Sequence, residues 1–229
     1  MTRIVRYILV SLLFICAVSQ PAAAQDEKYK FDMGAQLGMS GYLGDANTSN
    51  IFKHPGFSAG ISFRYLINTR MTVRGVFNTL SLSGNTADFD NVLPGHAEYS
   101  FKSQAYDLGA RYEFNFFPYG IGETYKKLRP WSPYLTLGVG VTVASCDGIT
   151  SVAPNIPMGI GIKYKLKPRL NLGLEFTMTK VFGDKIDGEL SDLYLIKSSF
   201  LKNTDWYSNI SLSITYEFGE RCVTCHYVD

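Results

Sequence analysis

Beyond its first two dozen residues the chain has no apolar run approaching the roughly 20 residues that a membrane-spanning helix requires. That excludes a bundle of membrane helices without excluding the membrane, because a closed β-barrel also satisfies its backbone inside a bilayer. An excess of one charge is missing too: 22 Lys and Arg stand against 20 Asp and Glu. Such a balance argues against nucleic acid as a partner and predicts no polybasic face. Histidine is scarce, and His54, His96 and His226 all fall in connecting segments or in the tail. Metal-ligand spacing is absent outside the tail, as are a phosphate-binding glycine motif and an internal repeat. The strongest catalytic candidate is His96 with Glu98, Ser100 and Ser103. Serine and glutamate are common in polar loops, so His96 reads as a solvated loop histidine. No enzyme and no cofactor are expected.

What is present begins with a leader. Arg3 and Arg6 precede an apolar run from Ile8 to Val18, and Ala22, Ala23 and Ala24 supply small residues for cleavage before Gln25. This is the pattern of a secretory signal peptide over residues 1–24. Lipid attachment at Cys16 is disfavoured, because bulky Ile15 stands where a small residue is needed. Residues 25–218 are then read as one domain and residues 219–229 as a tail.

Within that domain the hydrophobic period is two. In W-Y-S-N-I-S-L-S-I-T-Y-E-F, Ile210, Leu212, Ile214, Tyr216 and Phe218 share one face, opposite Asn209, Ser211, Ser213, Thr215 and Glu217. Side chains alternate across a strand, so this is one strand with an apolar and a polar face. Eight such segments are predicted, near 31–42, 57–67, 70–82, 101–115, 132–143, 155–166, 169–180 and 206–218. Each reaches the ~9–11 residues of a tilted transmembrane strand, beyond the ~5–6 usual in soluble sheets. Short turns at 67–70 and 166–169 alternate with long polar loops at 43–56, 83–100 and 181–205 and a medium one at 144–154. Outer-membrane barrels have short periplasmic turns and longer external loops, so both termini are expected in the periplasm. One connection, 116–131, is too long for a periplasmic turn.

Which face points inward separates a soluble barrel from a membrane one. The polar faces carry Asp32, Arg64, Arg74, Asp107, Arg111, Glu113, Lys163, Glu175 and Glu217. The apolar faces, such as Phe57/Ile61/Phe63/Tyr65 and Leu135/Leu137/Val139/Val141, carry no charge in mid-strand. A cation on a lipid-facing surface costs ~2–4 kcal/mol at the midplane, so the clean face is read as facing lipid. Trp131, Tyr134, Tyr164, Trp206, Tyr216 and Phe218, near strand ends, are expected to form interfacial girdles. The expected fold is therefore an eight-stranded antiparallel transmembrane β-barrel in the outer membrane, with a periplasmic C-terminal tail. Its interior is just wide enough for its own side chains, and the inward charges are expected to pair there rather than line a pore or a catalytic site.

The tail, C-V-T-C-H, matches a haem-attachment spacing literally. A haem needs an enclosing pocket, and three residues after His226 provide none. Zinc on Cys222, Cys225 and His226 would lack a fourth ligand. Disulfide chemistry suits an exported chain better. Cys146, expected on an external loop, cannot reach the pair, which leaves a Cys222–Cys225 bridge or a bond from one of them to another protein.

W-S-P-Y-L-T-L-G-V-G-V, N-L-G-L-E-F-T-M-T-K-V-F-G-D-K-I-D-G and T-D-W-Y-S-N-I-S-L-S-I-T-Y-E-F-G-E-R-C-V-T-C together resemble the PorG-like outer-membrane barrels of the type IX secretion system of Bacteroidetes. The resemblance spans nearly the whole mature chain, and His226 lies outside the family's pattern. It implies a non-enzymatic barrel that anchors a periplasmic ring, made of a lipoprotein and its associated ring protein, to the outer membrane. Cys222 and Cys225 carry over as the tail pair. The long 116–131 connection then gains a use, since Lys126, Lys127 and Arg129 interleave there with Tyr119 and Tyr125. These residues and the tail are expected to form the ring-binding surface. The competing expectations are a free-standing adhesive or protective barrel acting through its external loops, and a lipid-modifying enzyme.

Overall fold

Period-two segments of this length can satisfy their backbone groups in a bilayer only by pairing with one another until no edge is left. The computed structural model shows this arrangement, and it describes residues 29–43, 55–85, 100–121, 127–146, 149–182 and 206–220. The strands are β1 (Tyr29–Leu43), β2 (Gly56–Leu66), β3 (Met71–Asn85), β4 (Ser100–Asn115), β5 (Trp131–Cys146), β6 (Ile149–Lys167), β7 (Leu170–Val181) and β8 (Trp206–Glu220). Each is antiparallel to the next, and β1 pairs with β8 from Tyr29↔Glu220 to Leu43↔Trp206 to close the barrel. The expected leader, tail and long polar loops lie mostly outside the described residues. The two rims differ. At the turn end β2–β3, β4–β5 and β6–β7 connect, and the opposite rim is the loop end.

One expected connection is corrected. Residues 144–154 do not form a loop: Cys146 pairs with Ile149, and Ser151, Ala153 and Pro154 are all in the β5–β6 ladder. Pro154 disguises the first part of β6, ahead of the predicted start at 155, because proline cannot donate to a ladder. Asp147-Gly148, a strong two-residue hairpin signal, lies between the paired ends. Cys146 therefore ends a strand.

The outward face is apolar at every level away from the rims. Leu37, Phe57, Ile61, Leu108, Leu137, Val139, Ile160 and Ile214 are all exposed, which is tolerable only against hydrocarbon. Outward charges are confined to strand ends, with Lys102 and Lys180 at the loop end and Glu220 at the turn end. Aromatic rings gather near the turn end, where Phe31 contacts Phe63, Tyr65 and Phe218 with centroids 5.6–5.7 Å apart. Trp131, Tyr164 and Tyr216 are exposed in the same belt. Tyr134 is not part of it: parity turns it inward, and it is 1% exposed.

Two glycines are required by close approach. A Cβ on Gly161 would lie 2.4 Å from Cζ of Tyr134, so the inward tyrosine fits only against a bare backbone. Gly219 has φ of 72° and packs where a Cβ would meet the Phe31 ring at 2.8 Å, which bends the chain as β8 ends.

Leu137 is 59% exposed midway along β5. Leu137→Arg is expected to cost about 2–4 kcal/mol in equilibrium folding into lipid vesicles. Unchanged stability would contradict a lipid-facing position.

Candidate functional site

The lumen is filled in two strata. Towards the loop end it is apolar: Tyr42, Leu80, Leu82, Ala105, Ala144, Ala153, Val181 and Tyr207 form one buried cluster. This layer was not anticipated. Each of its members has the parity of the polar face, and its signal is that this face turns apolar towards the loop end, at Leu80, Leu82 and Val181. Below it the interior is charged. Five carboxylates (Asp32, Asp107, Glu113, Glu175, Glu217) and five cations (Arg64, Arg74, Arg111, Lys163, Lys165) are all buried there.

Sequence reading identified nine of these ten, and the structure brings them into contact. Glu113 is the hub, with Arg64 Nε at 3.2 Å, Arg74 Nε at 2.8 Å and Lys163 Nζ on its other oxygen. Arg74 also donates to both oxygens of Glu175, at 2.8 and 2.7 Å, and Tyr134 donates its hydroxyl to Glu175 at 2.6 Å. Arg111 joins Glu175 to Asp107, at 3.3 and 3.0 Å, and Asn155 donates to Asp107 at 2.7 Å. Arg64 reaches Asp32 at 3.3 Å. The residue missed is Lys165, which donates to both oxygens of Glu217 at 2.6 Å. It shares the parity of Lys163, but its place beside the K-P-R turn hid it.

A buried ion needs both a partner and hydrogen bonds, or it costs several kcal/mol. Here opposite signs balance in number, and the remaining acceptors are reached by Tyr134, Asn155, Asn171 and Thr215. Every carboxylate is tied to at least one cation. The network therefore reads as a structural core. Among the described residues no group of three metal-ligating side chains comes together.

The turn end carries the other arrangement of interest. The described ends of the 116–131 connection fold back on the barrel: Tyr119 N–H donates to Thr69 O at 3.1 Å, Gly120 N–H to Arg129 O at 2.9 Å, and Arg129 N–H to Pro118 O at 2.8 Å. Tyr119, expected on a partner-facing surface, is instead 4% exposed. Its hydroxyl donates to Asn171 at 2.8 Å, and Asn171 in turn donates to Asp32 and Glu217. The tyrosine thus caps the charged stratum from below. Lys127, at φ 48°, and Arg129 remain exposed, and the Arg129 guanidinium lies 4.3 Å from the centroid of the Phe117 ring. Tyr125, Lys126, Cys222 and Cys225 lie outside the described residues.

Across the rim Arg169 ties the closing strands together, donating to Tyr29, Tyr216 and Glu220 at 3.0, 3.3 and 2.8 Å. Its hydrogen bonds to Tyr216 and Tyr29 hold the guanidinium proton above the ordinary arginine range. The even overall charge conceals an uneven distribution. Lys30, Arg70, Lys127, Arg129, Lys167 and Arg169 are all exposed at the turn end. Among the described residues there, Glu220 is the one exposed carboxylate, and it is committed to Arg169. The expectation that no face would be polybasic is corrected: among the described residues exposed cations outnumber exposed carboxylates on this rim, which only the topology reveals.

Comparison with known proteins agrees with the architecture. A family profile described as "Domain of unknown function (DUF6089)" matches residues 6–227. No curated protein matches the sequence. Among solved structures, Neisserial surface protein A aligns with a TM-score of 0.53 at 16% identity, covering 82% of this chain and 97% of that one. A major outer membrane protein from Thermus thermophilus aligns with a TM-score of 0.51 at 15% identity, covering 82% and 99%. At such identities the likeness shows the fold, an eight-stranded barrel of the outer-membrane type.

Glu113 faces three cations, so Glu113→Gln leaves a surplus of buried positive charge. The variant is expected to lose about 3–5 kcal/mol of folding stability, read from denaturant titration of the barrel in lipid. A loss below about 1 kcal/mol would show that the network is not tightly coupled.

Proposed function

The chain belongs to the DUF6089 family, and we propose that it is a non-enzymatic scaffold of the outer membrane that anchors a periplasmic ring of a type IX secretion machine through its turn end. In this reading the turn end and both termini face the periplasm, and the partners are the ring lipoprotein and its associated ring protein. Outer-membrane lipid surrounds the barrel.

The observation that supports it is the ledge at 116–121 and 127–131. Long connections in compact folds are usually functional. This one is fixed to the barrel by backbone hydrogen bonds and by Tyr119, while Lys127 and Arg129 stay exposed. A docking surface gains affinity from being held in place before its partner arrives. The interior supports a scaffold over a channel or an enzyme, since its charges are consumed by one another. The C-terminal Cys222 and Cys225 follow β8, which ends on the same rim, so a tail bond to the ring would act beside the ledge.

The test is affinity purification from detergent-solubilised outer membranes. One variant replaces residues 122–126 with a Gly-Ser linker and carries Lys127→Glu and Arg129→Glu; a second carries Cys222→Ser and Cys225→Ser. The first is expected to lose the ring at least tenfold while keeping the heat-modifiable gel shift of a folded barrel. For the second, a reducible high-mass band present in wild type is expected to vanish. Full ring recovery by a folded ledge variant would contradict this use of the ledge. Purification of the wild type alone would favour a free-standing barrel acting through its external loops.

A further inference from the structure

An outward groove of 450 Å³ crosses β4 to β7, walled by Tyr112, Phe114, Leu137, Met158, Ile160 and Phe176, with the bare backbone of Gly159 in its lining. An enclosed apolar cavity of about 150 Å³ already holds a benzene, so this groove is large enough for a length of acyl chain. It begins near the turn end, where Phe114 and Leu135 are a paired position beside the last residues of the β4–β5 ladder, and runs across Ile160 and Met158 to Met178 on β7. The strands that wall it are joined at that end by two connections, and these supply Lys127 and Arg129 on one side and Lys167 and Arg169 on the other. Arg169 is bound to Glu220, whereas Lys127, Arg129 and Lys167 pair with no carboxylate among the described residues.

We infer that β4–β7 form a specific site for one anionic phospholipid of the leaflet at the turn end, its chain in the groove and its phosphate among Lys127, Arg129 and Lys167. Apolar groove and unpaired cations are separate observations that fall on the same four strands, and together they match an amphiphile with a negative head. An acidic protein surface would use the cations and leave the groove unexplained. Free phosphate would do the same. The proposal rests on the membrane-embedded reading of the barrel; it shares Lys127 and Arg129 with the proposed ring ledge, and leaving the ring proteins out of the experiment separates the two uses.

The experiment uses the full-length barrel, refolded in zwitterionic micelles, without ring proteins. Phosphatidylglycerol or phosphatidylcholine is added at equal mole ratio, and retained lipid is counted by native mass spectrometry. Phosphatidylglycerol is expected to be retained at least about tenfold more than phosphatidylcholine. That preference is expected to be lost in the Lys127→Gln/Arg129→Gln/Lys167→Gln variant, and retention itself in Ile160→Trp, which fills the groove. The heat-modifiable gel shift reports that each variant is folded, so a lost lipid is separable from a lost barrel. Equal retention of the two lipids by wild type would overturn the proposal, whatever the variants do. So would undiminished phosphatidylglycerol binding in either folded variant. Displacement by a poly-glutamate peptide or by millimolar inorganic phosphate would overturn it in favour of a protein dock or a simple anion site.

Discussion

The buried lattice around Glu113 and Glu175 is the constraint on which the rest of the barrel depends. Ten charged groups enclosed by an apolar shell are tolerable only if each meets its opposite, and the neutral pairing in the lumen meets that condition. It fixes the register, because slipping one strand by one residue would turn that strand's inward charges toward lipid. It requires inward glycine at Gly161, since Tyr134 must lie flat to reach Glu175. It also accounts for both ends of the lumen. An apolar stratum shields the lattice from the loop side, and Tyr119 closes the turn side by hydrogen bonding into it through Asn171.

The long turn-end connection is held for the same reason. Tyr119 is drawn inward by a polar partner, and the segment around it follows through backbone bonds to Thr69 and within Pro118–Arg129. What results, in the described residues 116–121 and 127–130, is a hydrogen-bonded ledge on a rim rich in exposed cations. Interior and rim thus differ: the lattice fills the body of the barrel, and the rim presents exposed cations.

Much of this was legible in the sequence. Period-two alternation located eight strands and the charge-free face located the lipid, because both follow from backbone geometry and solvation alone. Nine of the ten interior charges were identified by parity. The errors have physical causes. Tyr134 was expected in the interfacial girdle and Tyr119 on a partner-facing surface because tyrosine suits both an exposed boundary and a polar interior, and only register and fold-back decide between them. Lys165 was lost beside a turn, where parity is weakest. Pro154 hid the first residues of β6, and the gathering of cations at the turn end cannot be seen before the topology is known.

The central claim is that the lumen is sealed by its own side chains at both ends, so that the barrel leaves no open passage. Electrical recording of the purified full-length protein in planar lipid bilayers tests that most directly. A sealed lumen predicts insertion without resolvable conductance steps, with folded insertion verified independently by protection from protease. Stable, reproducible ion currents through the wild-type barrel would contradict it.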